Sequence, residues 1–418
     1  MAQAVLPGAV PAPAPDRVLR RRHERAERGR RLAAWALIAP SIAFMAVFFA
    51  LPIVAFLTRA VDNTEVTQTL PRTVAAIAGW DRQDVPDEPV FAALAADLQA
   101  LDGVPAAAAL GRRLNHNVAG FRQLAMRSAA NVPAVPHPDG WRATLIDVDA
   151  RWEDPIFWHA LYQERHPVTP LYLLASADLQ RGPDGIERIP PDRRLFVDLL
   201  ARTLTISAVV TLLCVVLGFP VAYAMASAGP KLTNWLLMLV LLPFWTSLLV
   251  RTTAWIILLQ RNGLVNQGLE SVGLIHEPLA LIYNRLGVYV AMVHVLLPFM
   301  VLPLYSVMKG VNPDHMRAGA GLGAPPLVVF RRIYLPQVLP GVVAGASLVF
   351  VLALGYYITP ALVGGPADQM IAYFIAYFTS ESVNWGMGAS LSAILLGVVV
   401  LLYAVLGRTI GLDRLKVR

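Results

Sequence analysis

The chain has 418 residues, of which 56% are hydrophobic and only 15% are charged, and its mean hydropathy is +0.55. A soluble protein of this length cannot bury so much apolar surface under so few charges, so the composition favours an integral membrane protein. The single cysteine, Cys214, lies within an apolar run, which excludes an intramolecular disulfide and a thiolate metal cluster. The net charge of +7 leaves nucleic-acid binding open until the charge is placed along the chain.

The N-terminal residues 1–31 begin with an Ala/Pro-rich stretch that predicts disorder and continue with an arginine-rich block. An uncharged run over 32–56 follows. It is too long for the apolar region of a cleaved signal peptide, and no small-residue cleavage site comes after it. We therefore expect a basic cytoplasmic tail over 1–31 and an uncleaved transmembrane helix 1 over 32–58.

Five more apolar runs are long enough to cross a hydrocarbon core of about 30 Å at about 1.5 Å per residue. They lie near residues 201–227, 234–259, 285–308, 339–362 and 388–407. Several contain proline or glycine, which membrane helices tolerate when their neighbours satisfy the freed backbone groups. The sequence thus predicts an all-α integral membrane protein with six transmembrane helices.

Lysine and arginine predict the orientation, because cytoplasmic loops carry an excess of them. Placing the arginine-rich N terminus in the cytoplasm puts the basic loops and the C-terminal tail on the same side: Lys231, Lys309, Arg317, Arg331, Arg332, Arg408, Arg414, Lys416 and Arg418. Both termini are then cytoplasmic. The exported segment 61–197 has 13 Arg, no Lys and 18 Asp or Glu, a net charge of −5. The positive excess is therefore cytoplasmic, which argues against a nucleic-acid partner.

The segment 59–198 is too long for a bare loop and should carry structure of its own. Its runs FAALAADLQALDG and AAAALGRRLNHNVAGFRQLAMRSA have helical spacing and end in glycine or polar breakers. We therefore expect a mainly helical periplasmic insertion between helices 1 and 2. The rest of the membrane core, with helices 2–6, then occupies 199–418.

The stretch RAGAGLGAPPLVVFRRIYLP, residues 317–336, has glycines at alternate positions, as some phosphate-binding loops do. The lysine and Ser/Thr of a P-loop are missing, the spacing differs from a dinucleotide fingerprint, and no strand precedes it. The membrane part also has no zinc-ligand spacing, nucleophile elbow or carboxylate pair. We therefore predict no catalytic residue, metal or cofactor in this chain, and a membrane-embedded enzyme is disfavoured.

Residues 310–336 instead have the features of a cytoplasmic interface. A helix start at 312–314 is followed by small residues that permit close approach, and then by an apolar ridge over 327–330. Such a short helix on the cytoplasmic face could insert into a groove of a partner protein. From the residues alone, an ordinary amphipathic connector is an equal alternative.

This loop resembles the signature E-A-A-x-x-x-G-x9-I-x-L-P of the membrane subunits of ATP-binding-cassette (ABC) importers. The spacing matches completely, although Arg317 stands in place of Glu and Gly319 in place of Ala. Stretches such as RTLTISAVVTLLCVVLGFPVAY and YYITPALVGGPADQMIAYFI are similar to permeases of the spermidine/putrescine branch. The resemblance implies a type I importer permease fold that contacts an ATPase through the coupling loop 310–336. Its residues are Arg317, Ala318, Gly319, Gly323, Phe330, Arg331, Arg332, Ile333, Leu335 and Pro336.

The same resemblance implies the partners and the location. They are a separate cytoplasmic ATPase dimer, a second homologous permease, a periplasmic solute-binding protein and the bilayer of the bacterial inner membrane. The implied cargo is a polyamine such as spermidine or putrescine, or an opine-like solute. Iron, sulfate or another anion is the alternative cargo, and a secondary transporter or channel without an ATPase is the alternative mechanism.

Charged groups inside membrane spans are costly and therefore candidates for function. We expect Arg251 to pair with an acid or with backbone carbonyls, because a cation would repel a polyamine. Arg202 should snorkel towards the outer edge of its span, and His294 should make a helix–helix contact.

Aromatic groups are better pathway candidates, because their faces attract ammonium groups. Acidic residues outside the fifth span, namely Asp368 and Glu381, are expected to attract cations to the mouth or to contact the binding protein. The candidate translocation pathway consists of Trp245, Tyr356, Tyr357, Thr359, Asp368 and Glu381. Interface anchoring and plain surface charge are the alternatives.

Overall fold

A computed structural model describes residues 17–115, 117–182 and 185–410. The stretch 1–16, for which disorder is expected, and the basic tail 411–418 lie outside these residues. The chain divides into two compact units at Thr58. In the first unit, helix α1 (Arg17–Met45) continues through a π-helical turn (Ala46–Ala50) into α2 (Leu51–Thr58). Its apolar part, Ala33–Thr58, is long enough to cross a membrane, and helix begins within the basic segment before it.

The insertion that opens the second unit is mainly helical, as the helical spacing of its apolar residues predicts. Its helices are α3 (Thr64–Thr69), α4 (Pro71–Ile77), α5 (Glu88–Gln99), α6 (Val104–Leu114), α7 (Phe121–Asn131), α8 (Gly140–Val148), α9 (Pro155–Gln163) and α10 (Leu171–Ala175), with a 3-10 turn at Ala150–Glu153. A short antiparallel hairpin, β1 (Leu179–Gly182) and β2 (Gly185–Arg188), and a 3-10 turn (Pro191–Arg193) follow. The sequence pattern does not predict this hairpin.

Large aromatic side chains fill the core of the insertion. Helix α5 contributes an apolar stripe at helical spacing: Val90, Phe91, Leu94, Ala95 and Leu98 are all buried. Trp158 on α9 packs against Phe91 and Trp152, with ring centroids 4.6 and 5.0 Å away. Helix α9 starts where it does because the side chain of Asp154 accepts a hydrogen bond from the Ile156 amide and Pro155 occupies the first helical position.

The membrane core follows the insertion. Its helices are α11 (Phe196–Ser227), α12 (Pro230–Leu241), α13 (Leu248–Leu259), α14 (Leu264–Ser271), α15 (Arg285–Lys309), α16 (Pro313–Gly321), α17 (Pro326–Val329), α18 (Leu335–Leu354), α19 (Ile358–Val363), α20 (Ile371–Ser380) and α21 (Trp385–Ile410). Short 3-10 turns occupy Leu242–Trp245 and Pro366–Asp368, and a π-helical turn occupies Phe330–Tyr334. Within the described residues, five helices are long and apolar enough to cross a membrane, and one sharply bent pair brings the number to six.

The third predicted span, near 234–259, is broken in the structure. Two helical segments, Pro230–Trp245 and Leu248–Ser271, meet at 102°. Pro243 weakens the end of the first segment because it lacks an amide hydrogen. Thr246 and Ser247 are extended, and the Ser247 hydroxyl accepts a hydrogen bond from the Val250 amide, which starts a new helix. Hydropathy does not detect this break, because the residues around it are apolar.

The expected fifth span, 339–362, is also displaced. The continuous helix runs over Pro326–Leu354, because α17, the π-helical turn at Phe330–Tyr334 and α18 follow one another without a break. It ends at Gly355, and α19 is a separate helix. The arginines near its start lower the hydropathy there, and their exposed side chains do not prevent the helix from forming. Tyr356 and Tyr357 therefore lie in a loop rather than in the span.

Close contacts at glycines hold α11, α15 and α18 together. A Cβ atom built on Gly218 of α11 would lie 3.0 Å from the Met300 side chain of α15. A Cβ atom on Gly345 of α18 would lie 2.7 Å from the Met300 sulfur. The backbones approach one another closely at these small residues, as is typical of helix packing in membranes.

Candidate functional site

Helix α16, within the coupling loop, has a well-defined start and end. The Asn312 side chain accepts a hydrogen bond from the Asp314 amide at 2.9 Å, and Pro313 occupies the first helical position. At the other end Gly323 has φ +82°. Its amide donates to the Ala320 carbonyl at 3.0 Å, and the Ala324 amide donates to the Gly319 carbonyl at 3.2 Å. This is a Schellman motif, in which the left-handed residue is best glycine.

The two halves of the loop signature contact each other. Gly319 is buried, and a Cβ atom at this position would clash with the end of the Ile333 side chain. Helix α16 therefore lies in close contact with the start of the fifth span at Gly319, and an alanine there would require the end of the Ile333 side chain to shift. A hydrogen bond of 2.9 Å between His315 Nδ1 and Gln337 Oε1 joins the same two elements.

Aromatic rings connect this contact to the second span. Phe330 packs against Phe219 of α11 with ring centroids 6.0 Å apart, and Tyr334 against Tyr223 at 5.6 Å. Phe330 and Tyr334 stack on each other at 5.7 Å. Phe219 and Tyr223 are four positions apart, as are Phe330 and Tyr334, so each pair lies on one face of its helix. The ridge over 327–330 therefore begins the fifth span and is not part of the short surface helix, which corrects the expectation.

The exposed surface of the loop is apolar and basic. Leu322 is 89% exposed and Leu327 is 75% exposed, so the loop presents two apolar side chains on its surface. Arg331 and Arg332 are exposed, as are Ala318, Pro336 and Arg317. The Arg317 guanidinium lies 3.0 Å from the Asp314 carboxylate within α16. An exposed ion pair of this kind contributes little stability, so Arg317 can exchange its partner readily.

A second cluster of polar groups lies where α13, α15 and α19 meet, beside the break in the third span. The Trp255 indole donates to His294 Nδ1 at 3.1 Å, which is the helix–helix contact expected for His294. The hydroxyls of Thr252 and Thr359 are 3.4 Å apart and both residues are buried. Arg251 makes a long hydrogen bond of 3.5 Å to the Thr246 carbonyl across the break.

The other pathway candidates are scattered. Trp245 is exposed at the break itself, Tyr357 is exposed, and Tyr356 is half-buried in the loop that follows α18. Glu381 is exposed just after the end of α20, 136 positions from Trp245 in the sequence. Arg202, for which snorkelling is expected, donates a hydrogen bond to the Gln369 carbonyl at 3.3 Å.

Asp368 is not the exposed charge that the sequence analysis expects. It is buried, and its carboxylate lies 3.0 Å from Arg285 Nε and accepts a hydrogen bond from the Gly365 amide at 3.2 Å. These contacts tie the start of α15 to the turn after α19. The sequence does not show that Arg285 is its partner, because 83 positions separate the two residues.

The chain is similar to known membrane transport proteins. Residues 215–411 match the family described as binding-protein-dependent transport system inner membrane component. The spermidine/putrescine transport system permease protein PotB of Salmonella typhimurium (strain SL1344) is 34% identical over 212 residues, 50% of this chain and 74% of that protein. The inner membrane ABC transporter permease protein YdcU of Escherichia coli (strain K12) is 32% identical over 236 residues, 52% of this chain and 73% of that protein.

The chain belongs to this family. It is a multi-pass permease component of an ABC importer in the inner membrane, and it is not an enzyme, since a separate subunit hydrolyses ATP. A bacterial alginate ABC transporter in complex with alginate pentasaccharide-bound periplasmic protein has a chain with a TM-score of 0.43 and 18% identity, covering 51% of this chain and 79% of that one. The insertion lies outside the residues that the family match covers.

Proposed function

We propose that this chain is the membrane subunit of an importer for a polyamine such as spermidine or putrescine, or for an opine-like solute. We further propose that the loop 310–336 docks into a groove on a cytoplasmic ATPase dimer. The observation that carries the proposal is the contact between Gly319 and Ile333, which joins the two halves of the loop signature. The relatives named for spermidine and putrescine transport support the substrate class.

The structure supports a path for force from the loop to the spans. Leu322 and Leu327 are available to enter an apolar groove, since both are largely exposed. Movement of α16 acts on Ile333 and, through Phe330 and Tyr334, on α11. Because Pro326–Leu354 is one continuous helix, the same movement tilts the fifth span. Closure of the ATPase dimer would thereby rock the spans and expose the pathway to alternate sides.

The proposed orientation has both termini in the cytoplasm and the insertion in the periplasm. Helix α11 supports this arrangement: its start at Val197 is bound by the insertion, and Phe219 contacts the coupling loop. These positions are 22 residues apart, or about 33 Å at about 1.5 Å per residue, close to the thickness of a hydrocarbon core. The insertion and the coupling loop therefore lie at opposite ends of a membrane-crossing helix.

The proposed partners include a second homologous permease and a periplasmic solute-binding protein. For the pathway we propose the aromatic faces of Trp245, Tyr356 and Tyr357, with Thr359 as a polar contact. An anionic cargo is the second candidate, because Arg251 places a cation beside the same cluster. The two cargo classes make opposite demands on this position, so they can be separated by experiment.

Reconstitution of the permease pair with its ATPase and binding protein tests the proposal. We expect ATPase activity to rise with spermidine, putrescine or an opine and to stay at its basal level with sulfate or ferric iron. Leu322→Asp should abolish the stimulation, whereas Leu274→Asp, at a leucine outside the loop that is 69% exposed, should not. Stimulation by anions alone would overturn the polyamine assignment. Cargo uptake by the chain without any ATPase would overturn the importer mechanism in favour of a secondary transporter.

A further inference from the structure

A short segment of the insertion, Leu171–Asp178, which we name the docking segment, binds the starts of two membrane helices. At α21, the ring of Tyr172 lies directly on the backbone of Gly386, where any Cβ atom would clash with the ring. Tyr172 is only 3% exposed and belongs to an apolar cluster with Leu199, Ile371, Met387 and Leu391. The insertion is therefore packed into the membrane core at this point.

Hydrogen bonds fix the same contact. The Ser390 hydroxyl donates to the Tyr172 carbonyl at 2.9 Å, and the hydroxyls of Ser176 and Ser390 are 2.7 Å apart. Both serines are buried, so these bonds are protected from water. They set the register of the docking segment along α21.

Asp178 attaches the docking segment to the second span. Its carboxylate accepts hydrogen bonds from the amides at the start of α11: Leu195 at 3.0 Å, Phe196 at 3.1 Å and Val197 at 2.8 Å. These are the amides that a helix start leaves without partners, and a carboxylate there also interacts favourably with the helix dipole. One segment of eight residues thus holds the outer ends of α11 and α21 together.

A buried ion pair lies behind Tyr172. The Arg113 guanidinium lies 5.1 Å from the centroid of the Tyr172 ring, and its NH2 nitrogen lies 3.9 Å from Glu164 Oε2. Arg113 is 8% exposed and Glu164 is 2% exposed. Burial raises the pKa of Glu164, although Arg113 and hydrogen bonds from Asn117 and Thr169 oppose the shift. In some proteins, charges buried at such cost specify one arrangement rather than add stability.

We propose that Arg113, Glu164 and Tyr172 form a positioning unit that locks the insertion onto α21 and α11. A protein that binds the insertion from outside then acts on both spans directly, without a flexible linker in between. The consequence, that a binding protein engages the insertion, rests on the proposed function. The lock itself is a property of this chain alone and can be tested alone.

The first experiment measures amide hydrogen exchange in the full chain in detergent. Tyr172→Ala should make the amides of 385–391 exchange about tenfold faster, because the ring that protects the start of α21 is lost. Leu173→Ala is the matched control, since the Leu173 side chain, next to Tyr172 on α10, is more than one-third exposed. Unchanged exchange at 385–391 in Tyr172→Ala would overturn the lock, whether or not any transport partner exists.

The second experiment asks whether the lock matters for signalling. In a Cys214→Ala background, Ser176→Cys and Ser390→Cys should form a disulfide, because their oxygens are 2.7 Å apart. With the ATPase, the second permease and a spermidine-loaded binding protein, Tyr172→Ala should lose stimulation while basal ATPase activity is kept. Oxidising the two cysteines in that variant should restore stimulation, and reduction should remove it again.

Restoration is a result that a merely structural role of Tyr172 would not give. The proposal is overturned if the disulfide forms without restoring stimulation, or if it blocks stimulation when Tyr172 is present. The second result would mean that the insertion must leave α21 during transport. If no variant shows stimulation, the importer assignment has failed, and the exchange experiment still decides the lock.

Discussion

The insertion and the membrane core differ in the side chains at their centres. The insertion buries large rings such as Trp158, Trp152 and Phe91 at its centre. The membrane core brings backbones together at Gly218 and Gly345, around the flexible side chain of Met300. In water, burial of apolar area drives folding, whereas in lipid the tails are as apolar as leucine and close contact must supply the stability. The comparison indicates that the two parts respond differently to the same kind of mutation.

The largest expected effect is at the centre of the insertion. Trp158→Ala removes a buried ring and leaves a cavity, which costs about 3–5 kcal/mol. We expect trypsin to digest the insertion of this variant at its arginines while the core fragment from α11 onward stays intact in detergent. Loss of both parts together would contradict the view that the membrane core has its own packing.

A second test targets the glycine contacts of the core. Gly345→Leu forces a side chain into the space of Met300 and should cost about 1–3 kcal/mol, seen as a lower unfolding temperature in detergent. Gly397→Leu on α21 is the control, because a Cβ atom there meets nothing within 4 Å. Equal destabilisation by both substitutions would show that close approach at Gly345 does not stabilise the core.

In the coupling loop, Gly323→Ala should cost about 1–2 kcal/mol, because φ +82° is unfavourable for a residue with a Cβ atom. The C-terminal end of α16 would then fray, and ATPase stimulation by cargo should fall several-fold. Gly321→Ala is the matched control, since its surroundings are open and its backbone is helical. Full stimulation in Gly323→Ala would mean that the geometry of this end does not matter for coupling.

The smallest expected effect concerns a carboxylate of the insertion. Hydrogen bonding from Arg151 lowers the pKa of Asp149 below its ordinary value of 3.8, against the opposing effect of burial. A lowered pKa gives stability that is complete above 3.8 and is lost as the pH falls through the folded-state pKa. Asp149→Asn should therefore lower the unfolding temperature of the insertion at pH 7 and have little effect once the carboxylate is protonated. An equal effect at both pH values would exclude this linkage.

Much of the fold could be predicted from the sequence, because membrane-crossing helices need long apolar runs. The first, second, fourth and sixth spans lie close to their predicted bounds. The break near Pro243 could not be predicted from hydropathy, since a short extended pair of residues leaves the apolar run unchanged. The predicted fifth span begins too late in the chain, because two adjacent arginines are typical of a cytoplasmic loop. Arg331 and Arg332 instead lie on the exposed surface of a helix.

Long-range pairings account for the rest of what the sequence could not show. The spacing of the loop signature predicts that Gly319, Gly323 and Ile333 belong to one segment. It does not predict that Gly319 lies against the side chain of Ile333. The partnership of Asp368 with Arg285 and the seat of Tyr172 on Gly386 each join residues far apart in the chain. Such contacts depend on how helices are arranged in space, and one sequence carries no direct signal for them.

Capture of the ATPase subunit is the most direct measurement of the central claim. The tagged chain, co-expressed with the ATPase and the second permease, should retain the ATPase through purification. Leu322→Asp combined with Leu327→Asp should lose it, because a carboxylate at either position opposes burial in an apolar groove. The Leu274→Asp variant should retain it. Equal recovery of the ATPase with all three proteins would contradict docking through the loop 310–336.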